Sequence, residues 1–209
     1  MAILYIDTVT PVLKVSLELE SQVFSKEGPI KSGSKLLFHY VEDLFQQSGR
    51  SIDQVEAIFF NRGPGSFTGI KVGTVFAQGL AFSSEVSLRS FTTFDLMDLE
   101  AGVPFGAFYT IYAFQNEFFM AQRISDRWEF EVISREKAKG LENVYYLGPK
   151  QHCLDNFLTL EGLSADSLPR LRKNGRLEDE IEPLYLKKST AEMNLKKTEA
   201  SQVEFFKKS

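Results

Sequence analysis

Cysteine is all but missing from this chain of 209 residues, where Cys153 stands alone. One thiol cannot build an internal disulfide framework, and such a composition suits a reducing cytosol. Histidine is nearly as scarce: His39 and His152 lie far apart in the sequence. A pair of imidazoles on one helix face, as a metallopeptidase would use, is therefore not expected. No apolar run approaches the length that spans a bilayer, and Asp7 interrupts the short N-terminal one, so no secretory signal is expected. An excess of basic residues is missing too. The net charge of −4 gives the whole molecule no electrostatic pull towards nucleic acid, so any nucleic acid it serves is expected to be gripped by a partner.

Apolar residues are plentiful. A 43% hydrophobic share can bury a real core, as one large or two small domains. With 19 Phe, some aromatic surface is expected at an interface rather than in a core.

The most informative stretch is Arg62-Gly63-Pro64-Gly65-Ser66-Phe67-Thr68-Gly69. It follows an apolar run, Val55 to Phe60, and precedes a long weakly polar segment, an order that reads as buried strand, glycine turn, helix. Ser66 and Thr68 are both suited to cap that helix. The turn can hold a phosphate or carboxylate on free N–H groups, or it can simply fix a tight strand-to-helix join. No Lys-Ser or Lys-Thr follows at P-loop spacing, so the Walker reading fails. Along the helix, Gly69, Gly73, Ala77 and Ala81 recur every four residues and leave a groove of small side chains. That groove packs either on the chain's own sheet or on another subunit.

Ahead of the turn, Ala2 to Ile6 reads as a strand ending at Asp7-Thr8. Leu13, Val15, Leu17 and Leu19 alternate with Lys14, Ser16 and Glu18, the signature of a second strand, and a third is expected around Gln22 to Ser25. Ser34 is placed to cap a helix to Ser48, with Leu36, Leu37, Tyr40, Val41, Leu44 and Phe45 as its apolar stripe. A strand at Val86 to Leu88 follows the long helix. Three antiparallel-connected strands followed by crossover helices imply a mixed sheet. Beyond Val103, Phe105 to Phe114 and Phe118 to Ile124 read as a hairpin, and Trp128 to Ile133 alternates again. Short helices and polar turns are expected from there to Pro183, with a terminal helix or frayed tail after Lys187. The expected organisation is α/β in two lobes, residues 1–100 and a smaller one over 101–187, with 188–209 placed to pack back on the first. No internal repeat is visible.

Asp7 and Thr8 either orient a metal-bound water or phosphate near the glycine turn or satisfy backbone groups at the start of the first hairpin. A nucleotide clamp needs a second phosphate loop, yet Gly140, Gly148, Gly162 and Gly175 stand isolated. Half a clamp does not close on ATP. His39 shares the polar side of its helix with Asp43 and Gln46, and the His152-Cys153 neighbour pair reads as incidental.

The octapeptide, with Ile70-Lys71-Val72-Gly73, Ala77-Gln78-Gly79-Leu80-Ala81, Ile6-Asp7-Thr8 and Pro183-Leu184-Tyr185-Leu186-Lys187, resembles the signature of the bacterial TsaB family, also called YeaZ. The likeness is specific over the first lobe and thin afterwards. It implies an actin-like ATPase (ribonuclease H-like) fold and a cytoplasmic, non-catalytic partner of TsaD, its paralogue, in making threonylcarbamoyladenosine beside the tRNA anticodon. It further implies a heterodimer with TsaD, a TsaE-like ATPase as a further partner, a homodimer when alone, and neither strong tRNA binding nor membrane attachment. Asp7, Thr8, Gly63, Gly65, Ser66, Thr68 and Gly69 would be a vestigial phosphate or anion site. Leu37, Tyr40, Val41 and Leu44, with Gly69, Gly73, Ala77 and Ala81, would form the partner interface. No catalytic residue, metal or cofactor of its own is implied, and ATP or ADP only at an interface shared with the partner. Two departures stand out: a family His ahead of the first helix falls near Ser32, and a family Asp-Ala-Arg appears as Tyr112-Ala113-Phe114. The rival expectation is a self-sufficient ATP-dependent kinase or hydrolase built on Asp7 and the glycine turn; a metallopeptidase lacks its ligands.

Overall fold

A computed structural model describes residues 2–20, 22–29, 33–103, 105–125, 127–160 and 164–187, with the backbone alone at 33 and 34. The Ser34 cap, the family position near Ser32, Gly162 and the segment 188–209 therefore lie outside the described residues. Strands β1 (Ile3–Asp7), β2 (Val12–Glu18) and β3 (Val23–Pro29) form an antiparallel meander. Helix α1 (Gly33–Ser48) leads to β4 (Ala57–Asn61), which pairs parallel with β1. Helix α2 (Phe67–Ser84) then crosses to β5 (Ser87–Phe91), parallel to β4. The sheet order is β3-β2-β1-β4-β5. This is the expected mixed sheet and the order of an actin-like, ribonuclease H-like lobe.

Helix α3 (Thr93–Ala101) is an addition to the sequence expectation. Thr92 accepts from the Asp95 amide, Asp95 accepts from the Thr92 amide, and left-handed Gly102 (φ 60°) ends the helix.

The second lobe corrects the sequence reading most. Strands β6 (Phe108–Phe114), β7 (Glu117–Ile124) and β8 (Arg127–Ser134) form a second antiparallel meander. After α4 (Arg135–Lys139), β9 (Val144–Leu147) pairs parallel with β6, and β10 (Phe157–Thr159) pairs parallel with β9. Its order, β10-β9-β6-β7-β8, is the order of the first lobe over again. The chain thus holds a topological repeat that no residue pattern reveals. Topology is set by strand pairing and crossover connections, which unrelated sequences satisfy equally well.

Residues 164–187, expected inside the second lobe, return to the first. Ser16 donates to the carbonyl of Ala165, Glu27 accepts from the Ala165 amide, and Arg172 on α5 (Leu168–Lys173) reaches Glu18 at 2.9 Å. Beyond α5 a strap crosses the β5 edge, where Ser90 and Glu178 exchange two backbone hydrogen bonds. The polar side of β2 is consequently buried as well: Lys14, Ser16 and Glu18 are all enclosed.

One core lies between the first sheet and its helices, where Leu13, Val15 and Leu17 meet Leu37, Val41 and Leu44. A second joins the lobes through Tyr5, Phe59, Phe94, Tyr109 and Leu168. Each fully buried side chain of this size contributes about 1.5–3 kcal/mol. A third core, with Phe118, Tyr146 and Phe157, belongs to the second lobe alone.

Candidate functional site

The ends of β1 and β4 meet at Asp7. One carboxylate oxygen accepts from the amides of Val9 (2.9 Å) and Thr10 (3.2 Å) and from Asn61 Nδ2 (3.0 Å). The other accepts from Thr10 Oγ1 (2.6 Å) and from the ammonium of Lys14 (3.2 Å). Burial pushes the Asp7 carboxyl up, but the Lys14 charge and these hydrogen bonds outweigh it and hold it below the usual carboxylate range. Every acceptor direction is in use.

The glycine turn closes on the same point. Asn61 Oδ1 accepts from the Gly63 amide at 2.9 Å, while its amide group also reaches Thr93, which in turn donates to the Pro64 carbonyl. The Ser66 amide bonds Val9 O, and Ser66 Oγ caps α2 by accepting from the Gly69 amide at 3.1 Å. Ser66 is the N-cap, and Thr68 sits inside the first turn of the helix. The amides of Gly63, Ser66 and Gly69 are engaged internally and are withheld from the anion expected there. Glycine is required for closeness instead. A Cβ at Gly65 would stand 2.6 Å from Val9, one at Gly69 would stand 1.9 Å from the Thr8 carbonyl, and Gly63 holds φ +117°. Thr8 Oγ1 completes the contact by donating to Gly69 O at 2.7 Å.

Arg62, first of the octapeptide, is clasped by the strap. Its guanidinium meets Glu178 at 2.6 Å and Glu180 at 3.0 Å, and the Leu184 amide bonds the Arg62 carbonyl. The sequence gives no sign of this use, since its partners lie more than a hundred residues away.

The small-residue groove faces inward. A Cβ at Gly73 would stand 2.3 Å from Thr8 Oγ1, and Ala77 and Ala81 are buried. Leu37, Val41 and Leu44 are equally enclosed, and Tyr40 is half-buried with its hydroxyl on Glu27 O. As a surface, the expected partner interface is corrected: those residues fasten α1 and α2 to their own sheet. The outer faces of the two helices carry Phe38, Val75 and Phe82, which are 58%, 69% and 89% exposed.

Across the cleft, β9 ends in Gly148-Pro149, the counterpart in the second lobe of Gly63-Pro64 after β4. The two turns border one hollow of about 170 Å³, and none of its lining residues is charged. Gly148 stands isolated in the sequence, and only the repeated topology gives it meaning. Tyr112-Ala113-Phe114 ends β6 as Asp7 ends β1, so aromatic residues hold the position in the second lobe that the carboxylate holds in the first. His39 lies exposed beside Glu42, and His152 stacks on Tyr112 with ring centroids 3.7 Å apart. Among the described residues no three His, Cys, Asp or Glu side chains gather as metal ligands would.

Residues 30–100 match the family model of TsaD, the tRNA N6-adenosine threonylcarbamoyltransferase. The chain is similar to the tRNA threonylcarbamoyladenosine biosynthesis protein TsaB of Haemophilus influenzae, at 30% identity over 149 residues covering 65% of this chain and 63% of that protein. Against the protein of that name from Escherichia coli the identity is 35% over 103 residues, covering 49% of this chain and 44% of that one. The matched part thus spans 63% and 44% of the two curated relatives. By structure the chain is similar to YeaZ from Pseudomonas aeruginosa, with a TM-score of 0.68 at 22% identity over 88% of this chain and 99% of that one. At that identity the likeness speaks for the fold alone.

Proposed function

We propose that this chain, as a member of the TsaB (YeaZ) family, is a non-catalytic subunit in the biosynthesis of tRNA threonylcarbamoyladenosine. The observation that carries the reading is the closure of Asp7. A catalytic carboxylate must be free to meet a metal-bound water or a phosphate, whereas both oxygens here are engaged and one holds the ammonium of Lys14. The lobe keeps the architecture of a phosphate-binding fold with an internal cation on its carboxylate. Such a lobe serves best as a scaffold for a partner.

The partner we propose is a TsaD-type paralogue, since the segment matching the TsaD model runs from α1 to α3. Its docking surface would be the outer face of α1 and α2, where Phe38, Val75 and Phe82 offer apolar side chains exposed among the described residues. The same face would mediate self-association when the partner is absent. A net charge of −4 leaves the grip on tRNA to the partner. No described helix is long and apolar enough to cross a membrane, in keeping with work in the cytoplasm. Any nucleotide would sit at an interface shared with the partner.

Copurification of the chain with a TsaD-like protein from the same genome tests the reading. Phe82→Asp is expected to weaken that complex by at least about tenfold while leaving the melting temperature unchanged. Absence of any complex, or robust ATP turnover by the purified chain alone, would overturn it.

A further inference from the structure

Where the two lobes meet above the glycine turn, a cleft of about 360 Å³ opens beside the hollow already described. Phe67 at the start of α2 and Tyr185 on the strap form one wall, their rings 5.0 Å apart. Tyr112, Phe114 and Phe119 from the second lobe line the other. Three of these aromatics, Phe67, Phe114 and Tyr185, remain exposed around one opening. The β6–β7 register shifts between Tyr112 and Phe114, and such an irregularity re-aims a side chain. His152, stacked on Tyr112, holds that ring in place, and the Tyr112 hydroxyl has no hydrogen-bond partner among the described residues.

One lysine lines this opening and another stands over the ring of one of its walls. Lys187 lines the cleft but is ion-paired with Glu117. Lys71 stands 4.2 Å over the Phe67 ring and has no carboxylate partner among the described residues. A volume near the lower end for small-molecule sites, apolar walls that include five aromatic rings, and few polar groups describe a ligand pocket. The neighbouring amides of Gly63, Ser66 and Gly69 are engaged within the turn.

We propose that this cleft binds a planar aromatic molecule of one fused ring system bearing a single anionic group. Its ring lies between the Phe67–Tyr185 wall and the wall of the second lobe, and its anion is turned to Lys71. The aromatic walls of this site do not include Phe38, Val75 or Phe82 of the partner surface, whereas Lys71 shares the outer face of α2 with Val75 one turn on. The test uses the fluorescent probe 8-anilinonaphthalene-1-sulfonate and its neutral analogue N-phenyl-1-naphthylamine, titrated into the full chain. One molecule of either probe is expected to bind per chain. Phe114→Asp should weaken both by about tenfold, and Lys71→Glu should weaken the sulfonate alone to a similar extent. Phe67→Ala provides a second variant of the wall and should also weaken both. Unchanged binding by Phe114→Asp and Phe67→Ala would overturn the proposal. So would loss of binding on Phe82→Asp, or displacement of the probe by ATP at equal concentration.

Discussion

The ammonium of Lys14 lies 3.2 Å from the carboxylate of Asp7, and the two side chains are 2% and 0% exposed. Neither charge has water to return to, so each depends on the other and on the hydrogen bonds of Thr10. Breaking such a pair from one side costs far more than replacing both members. Lys14→Met is expected to destabilise the chain by about 3–5 kcal/mol, because it leaves Asp7 enclosed and unpaired. Adding Asp7→Asn should recover much of that loss. Urea denaturation of the two variants checks both expectations, and a single variant as stable as the parent would refute the pairing.

The two glycines inside α2 should behave in opposite ways. At Gly73 a side chain meets Thr8 Oγ1, while at Gly79 nothing lies within 4 Å of an added Cβ. Gly79→Ala is expected to stabilise the chain by about 0.5–1 kcal/mol, the ordinary gain in a helix interior. Gly73→Glu should prevent folding, because it forces α2 away from β1 and brings a charge into the core. Circular dichroism with thermal melting separates the two.

What the residues disclosed, and what they hid, follows from how far each signal reaches. The alternation of β2 and the stripe of α1 are local periodicities, and both are found in place. The glycine stripe disclosed a close approach without saying to what. Spacing defines a face, and only the fold decides whether Thr8 or another subunit lies over it. The polar residues of β2 give the same lesson: alternation placed Lys14 and Glu18 opposite the leucines but could not foresee α5 and the turn before it packing on that side. Strands β9 and β10 are too short for a periodic signal. Gly148 gained meaning only when its lobe proved to repeat the topology of the first.

Arg62 should act as the clasp of the strap. A planar guanidinium reaches two carboxylates and the Glu182 carbonyl together, a geometry that a lysine ammonium cannot reproduce. Arg62→Lys is expected to cost about 1–2 kcal/mol, discounted because Glu180 is well exposed. It should also hasten proteolytic cleavage between residues 176 and 187. Limited proteolysis followed by mass mapping of the fragments checks this, and an unchanged cleavage pattern would show that the backbone bonds of Ser90 and Arg62 hold the strap without the guanidinium.

Asp95 provides the expected response to pH. It is buried at the start of α3, where it bonds Thr92 and accepts from the Trp128 indole at 2.7 Å. Burial is the main reason its pKa is pushed up to about 6 from 3.8, the nearby charge of Glu178 adding to it against the opposing hydrogen bonds. A carboxyl with a raised pKa in the folded state binds its proton more tightly there than in the unfolded chain. Its ionisation therefore destabilises the fold, and the penalty grows as pH rises from about 4 to about 6 before levelling off. A shift of about two units corresponds to about 3 kcal/mol. Asp7 and Glu18, both held low, act in the opposite sense and lose stability only at more acid pH. The comparison that isolates Asp95 is the parent against Asp95→Asn. On acidification from pH 7 to pH 4 the parent should gain about 3 kcal/mol relative to the variant. Chemical denaturation at several pH values measures that difference, and two parallel stability curves would show that Asp95 titrates as an ordinary carboxyl.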